Sequence, residues 1–255
     1  MDRIEPLQDA SGCRRCGDRF PYESARFAGG WAEGLCAGCR IELPAFERAV
    51  AFASYERETR EMLHLLKFSG MEPVAQAVLA PGMAAAIRKL QAEAAASVVV
   101  VPVPLYRARL RRRGFNQSLL LARAAVEVLR RECRAWELTL APGVLERIKD
   151  THELYPLAPH QRRAGLRGAF RVADAEAVRG REVLLVDDIL TTGATARECA
   201  RVLRRAGAAK IWVATYARTL DEPAWQTARW TASNELAEGQ RDASSASQQR
   251  NLNHF

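Results

Sequence analysis

Three runs in this chain are apolar almost without interruption: SVVVVPVPL (97–105), REVLLVDD (181–188) and KIWVATYA (210–217). A half-solvated strand alternates apolar with polar residues, whereas a continuous run is covered on both faces, as the strands of a parallel sheet are. Helical patterns stand around these runs. Residues 118–133 place Leu119, Leu120, Ala122, Ala125, Val126 and Leu129 on one stripe, and GATARECARVLRRAGA stops at Gly207. Upstream, a short strand candidate at 49–55 precedes helical periodicity through 60–68 and 73–90. Strands alternating with helices predict an α/β domain with a parallel central sheet. At 255 residues and 48% hydrophobic composition, the chain can bury one substantial core and carry a small appendage.

The appendage is expected at the front. Four of the six cysteines form CRRC (Cys13, Cys16) and CAGC (Cys36, Cys39), two knuckles separated by 19 residues. This is zinc-ribbon spacing: each turn aims two thiolates at one ion, and four sulfurs close a tetrahedron with no open position, so the zinc is structural. A pair of disulfides is the alternative, disfavoured in a reducing compartment. The opening MDRIEPLQDA has acids and no apolar h-region, so no secretory leader is expected and the chain is placed in the cytoplasm. The longest apolar stretch, AAASVVVVPVPLY, is broken by Pro102 and Pro104 and is too short to span a membrane. Cys133 and Cys199 lie in helical apolar patterns and read as ordinary core thiols.

The chemistry is expected where the second long run ends, in VLLVDDILTTGATA (183–196). Ligands of an open α/β sheet bind beyond the carboxyl ends of its strands. There Gly193 lets backbone N–H groups approach an anion, Thr191, Thr192 and Thr195 add hydroxyls, and the following helix contributes the positive end of its dipole. Such a turn suits a phosphate monoester. Asp187 and Asp188 would repel it, so they should face vicinal hydroxyls or a bound Mg²⁺. A net charge of +8 agrees with an anionic partner, phosphate or nucleic acid.

This stretch resembles the phosphoribosyl-pyrophosphate signature of type I phosphoribosyltransferases. The resemblance implies that fold, with Asp187 and Asp188 on the ribose hydroxyls and Thr191, Thr192, Gly193, Ala194 and Thr195 around the 5′-phosphate. A second block, VPVPLYRARLRRRGFNQSLLLA (101–122), is similar to the stretch carried by the ComF family, as are the zinc ribbon and LLKFSG at 65–70. Membership implies a role in natural competence, the uptake of single-stranded DNA, with other competence proteins as partners. The implied organisation is a ribbon at 1–45, a phosphoribosyltransferase-like domain at 46–219 and a disordered tail at 220–255, a stretch without periodicity.

Arg107, Arg109, Arg111, Arg112 and Arg113 place five guanidiniums within seven positions, in what reads as a loop between strand and helix. Pyrophosphate needs such cations, and so does single-stranded DNA; Tyr106 and Phe115 read equally as stacking faces for its bases or as hydrophobic anchors. A third basic block, LERIKDTHELYPLAPHQRRAGLRGAF (145–170), corresponds by resemblance to the loop that covers the reaction centre, with Arg147, Lys149 and Arg162 as charge stabilisers. It departs from the family pattern at Leu154, where glutamine is expected, and at Gly165, where asparagine is. None of the four histidines has metal spacing. Two functions remain open: Mg²⁺-dependent transfer of a phosphoribosyl group, or a non-catalytic module that binds single-stranded DNA through its basic loops.

Overall fold

The structure, a computed structural model, describes residues 4, 6, 7, 12–19, 34–66, 73, 75–151 and 165–220. The expected tail after residue 220, Arg162, Leu154, three of the histidines and the end of LLKFSG lie outside the described residues. In chain order the elements are α1 (Ala37–Ile41), β1 (Arg48–Ser54), α2 (Arg57–Leu65), α3 (Ala80–Arg88), β2 (Ser97–Pro102), α4 (Arg107–Arg113) and α5 (Gln117–Glu132). There follow β3 (Glu137–Leu140), β4 (Leu145–Arg147), β5 (Phe170–Val172), β6 (Glu182–Leu190), α6 (Ala194–Arg205) and β7 (Lys210–Arg218).

Five strands make one sheet in the order β1-β7-β6-β2-β3, with every pairing parallel. The continuous runs are buried on both faces, as expected. Val98 and Val100 pack with α3 and α5, in one cluster with Leu184, Val186 and Leu121. Val99 and Val101 pack on the other face with Val183, Leu185, Cys199 and Leu203 of α6. At about 25 cal/mol per Å² of apolar surface removed from water, these two layers supply most of what holds the sheet. The chain leaves β2 toward β3 on one side and β6 toward β7 on the other, so the order reverses between β2 and β6. A crevice opens beyond their carboxyl ends.

The arginine run differs from the sequence expectation: it is helical, not a loop. Arginine is a good helix former, and Gly114 at φ +84° ends the helix in the left-handed conformation, its N–H bonding back to Leu110 O. The helical stretch expected at 73–90 is also resolved differently. A wide π turn over Ala75–Leu79 precedes α3, where Pro81 offers no N–H to continue one ladder. Three short strands escaped notice. β3 buries only Leu138, and β4 and β5 form a three-residue antiparallel ladder framing the third basic block.

The cysteine segment lies along the open edge of β1. Ala49 N–H donates to Arg15 O at 2.7 Å and Leu7 N–H to Phe52 O at 2.7 Å, satisfying groups that an edge strand otherwise exposes.

Candidate functional site

The turn after β6 has the conformation that its glycine permits. Gly193 is the N-cap of α6 at φ +70°, with no side chain capping the first turn, and Arg197 N–H closes that turn onto Gly193 O at 2.9 Å. The first-turn N–H groups therefore have no intrahelical partner and face a cavity of about 500 Å³. Thr191, Thr192, Gly193, Ala194 and Thr195 all line it.

Asp187 and Asp188 sit beside this turn, at the end of β6. Ser118 Oγ donates to Asp187 Oδ1 at 2.8 Å, and Asp188 N–H donates to the same oxygen at 2.9 Å. Asp188 is buried; it accepts from Ile189 N–H at 2.9 Å and, at 3.5 Å, from Gln117 Nε2. Burial, reinforced by the charge of Asp188 and opposed by Ser118, pushes the Asp187 carboxyl up to about 8.

These partners come from the first turn of α5, which Asn116 locks. Its Oδ1 accepts from Ser118 N–H at 3.0 Å, a helix N-cap, while its Nδ2 donates to Val103 O at 3.0 Å. Arg113 Nη1 in turn holds Gln117 Oε1 at 2.7 Å. Sequence reasoning placed Asn116 and Gln117 in a family motif but assigned Asn116, Gln117 and Ser118 no role. The available signal was an asparagine immediately ahead of an apolar helical stripe.

The arginines divide by the geometry of α4. At about 3.6 residues per turn, Arg109 and Arg113 share one face and Arg107 and Arg111 the opposite one. Arg109 and Arg113 line the cleft next to Asp187 and Asp188, while Arg107, Arg111 and Arg112 are exposed. Arg147 joins the cleft from β4, its guanidinium 5.4 Å from the Phe170 ring centre and hydrogen-bonded to Thr151. Burial lowers the pKa of Arg113 and of Arg147, and the neighbouring acid opposes this in each case. Arg147 Nε is buried without a hydrogen-bond partner among the described residues, as is Thr215 Oγ1, which stands in register with Asp187 and lines the same cavity. Lys149 is exposed and donates to Arg167 O at 3.3 Å, outside the cleft lining.

The four ribbon cysteines converge. Their sulfurs all lie within 4.8 Å of one another, with Cys16 and Cys36 Sγ 3.6 Å apart. A tetrahedron of thiolates at about 2.3 Å from zinc has edges near that length, so the donor set fits a four-sulfur structural site. Hydrogen bonds among the four thiols push Cys13 down and Cys16 and Cys39 up, so the cluster shares its protons among the sulfurs. Cys199 is fully buried in the core and Cys133 is half-buried, neither in this cluster.

Known proteins resemble this chain over most of its length. The phosphoribosyl transferase domain matches residues 137–230. The DNA utilization protein YhgH of Escherichia coli is 33% identical over 189 residues, covering 72% of this chain and 78% of that protein. The protein of the same name in Salmonella typhimurium is 32% identical over 187 residues, with 72% and 78% covered. Competence protein F of Haemophilus influenzae is 28% identical over 209 residues, covering 81% of this chain and 84% of its own.

Proposed function

The chain belongs to the ComF family and carries a phosphoribosyltransferase domain on a parallel sheet, and from that premise we propose that its cleft binds 5-phosphoribosyl pyrophosphate, or a closely related sugar phosphate, with Mg²⁺. One juxtaposition supports the reading. A turn of unpartnered N–H groups and hydroxyls at 191–195 adjoins two carboxylates, with Arg109, Arg113 and Arg147 across the cleft. The turn takes the 5′-phosphate through backbone donors and the helix dipole. Asp187 and Asp188 take the ribose hydroxyls or the cation, and the Ser118 and Gln117 contacts keep both carboxylates aimed before ligand arrives. Mg²⁺ supplies positive charge against the pyrophosphate oxygens. Arg109 and Arg113 meet the same oxygens as guanidinium forks. The cysteine cluster holds structural zinc, and the protein serves DNA handling, in keeping with the names of the competence and DNA utilization proteins that it resembles.

Calorimetry with phosphoribosyl pyrophosphate, with and without Mg²⁺, tests this. Binding should require the metal, and the double variant Asp187→Asn/Asp188→Asn should abolish it. Unchanged binding in that variant would overturn the assignment of the acids.

A second reading, a surface for single-stranded DNA, is favoured by one observation: Arg107, Arg111 and Arg112 are exposed and none lines the cleft. Outside the cleft they are open to a long anion.

A further inference from the structure

The phosphate turn is tied to both cysteine knuckles. On its trailing side, Arg197 closes the first turn of α6 with its backbone N–H on Gly193 O at 2.9 Å. The side chain of the same residue crosses to the second knuckle, where Nη2 donates to Cys39 Sγ at 3.4 Å and Nη1 to Glu42 O at 2.6 Å. Cys39 is wholly buried in α1, and Glu42 caps the end of that helix. On the leading side, Leu190 O accepts from Thr219 N–H at 3.0 Å. The preceding residue, Arg218, sends its buried side chain to the first knuckle, bonding Cys16 O and, at 3.3 Å, Asp18 Oδ1.

We propose that Arg197 and Arg218 brace the phosphate turn against the cysteine metal site, so that metal occupancy sets the geometry of the turn at 191–197. The inference rests on reading the cysteine cluster as a metal site and the turn as the phosphate cradle. A guanidinium holds two acceptors in one plane, so Arg197 fixes the angle between α1 and α6 as well as their distance. Its sulfur acceptor is a better one as a metal-bound thiolate, which is deprotonated and fixed in position, than as a neutral thiol. Without the ion, the four sulfurs share protons and the two knuckles lose their common anchor, so both ties slacken together. Arg197 is thus a positioning residue: it reaches the cleft only through the turn that it closes.

Hydrogen exchange reads this without any ligand. Chelation of the metal from the full chain should raise exchange of the amides at 192–197 at least tenfold while leaving those of β2 and α5 unchanged. In the metal-loaded protein, Arg197→Gln should raise exchange of the same amides and weaken metal retention against a chelator by about 10- to 100-fold. Loaded with cobalt instead, that variant should shift the thiolate-to-metal absorption band. Arg197→Lys, which restores the charge but not the two-pronged bond, should recover only part of each effect. Should chelation unfold the whole chain, the loaded Arg197→Gln protein decides alone. The proposal is overturned if the turn keeps its protection without metal in an otherwise folded chain, or if Arg197→Gln retains wild-type metal binding, cobalt spectrum and exchange. Failure of the loaded wild-type protein to bind phosphoribosyl pyrophosphate refutes the ligand reading only, since exchange is measured on the free protein.

Discussion

Asp187 holds its proton to about pH 8 because its carboxyl is buried beside Asp188, with Ser118 only partly compensating. An ordinary aspartate loses that proton near 3.8. Between those values the folded chain binds more protons than the unfolded one, so this group stabilises the fold at low pH, and the stabilisation fades as pH rises toward 8. The charged pair above that pH is unfavourable in the free protein, and under the proposed reading a bound cation relieves it. Asp187→Asn should therefore leave urea stability near wild type at pH 4 and raise it by about 1–2 kcal/mol at pH 8, the range common when a strained functional site is relaxed. Equal stability at pH 8 would mean that the carboxylate is fully compensated in the free protein. Ser118→Ala should act in the opposite sense, since it removes a donor to Asp187 Oδ1 and leaves the buried charge worse served.

At the scale of elements, legibility followed length and pattern. The three continuous apolar runs and the stripe of α5 announced the sheet and its main helices, because burial on both faces of a strand and one face of a helix writes a period into the chain. The turn proposed to hold phosphate was equally plain as a turn, its glycine ahead of a helix announcing the left-handed N-cap of α6. α4 was not: five arginines and no apolar face carry no periodic signal, and the residues that hold the acids became visible only once α5 met the end of β6. The division of α4 into two faces separates the two binding readings. Replacing Arg107, Arg111 and Arg112 by glutamine should flatten the salt dependence of single-stranded DNA binding by about two units, at roughly 0.7 per phosphate contact. Sugar-phosphate affinity should stay unchanged. Replacing Arg109 and Arg113 should do the reverse, lowering sugar-phosphate affinity with little change in salt slope beyond what two inward cations contribute. A slope untouched by the outward triple variant would remove DNA from that face.

For the whole molecule, what matters is how the small cysteine module is held. The sequence suggested an appendage, and a ribbon of this size has little core of its own. In the fold it is seamed to the sheet: Arg15 bonds Phe46 O at 3.0 Å and Glu47 at 2.7 Å, and Arg204 of α6 reaches the same Glu47 at 2.8 Å. Backbone bonds from Ala49 and Leu7 join it along β1. Glu47 is about three-tenths exposed, so each ion pair alone contributes at most about 1 kcal/mol. The backbone pairing, with the metal proposed for the cysteines, then carries more of the attachment than these ion pairs do. The loaded protein should carry about one zinc per chain, as a four-thiolate site implies, and the module and sheet should unfold in one calorimetric transition. Cys13→Ser should lose the metal and either lower that transition by several degrees or split it, because β1 then keeps a poorly covered edge. Glu47→Gln, which leaves the metal ligands and backbone seam intact, should lower it far less. Two resolved transitions in the metal-loaded wild-type protein would show that the seam does not transmit stability, and that the module folds apart from the sheet it covers.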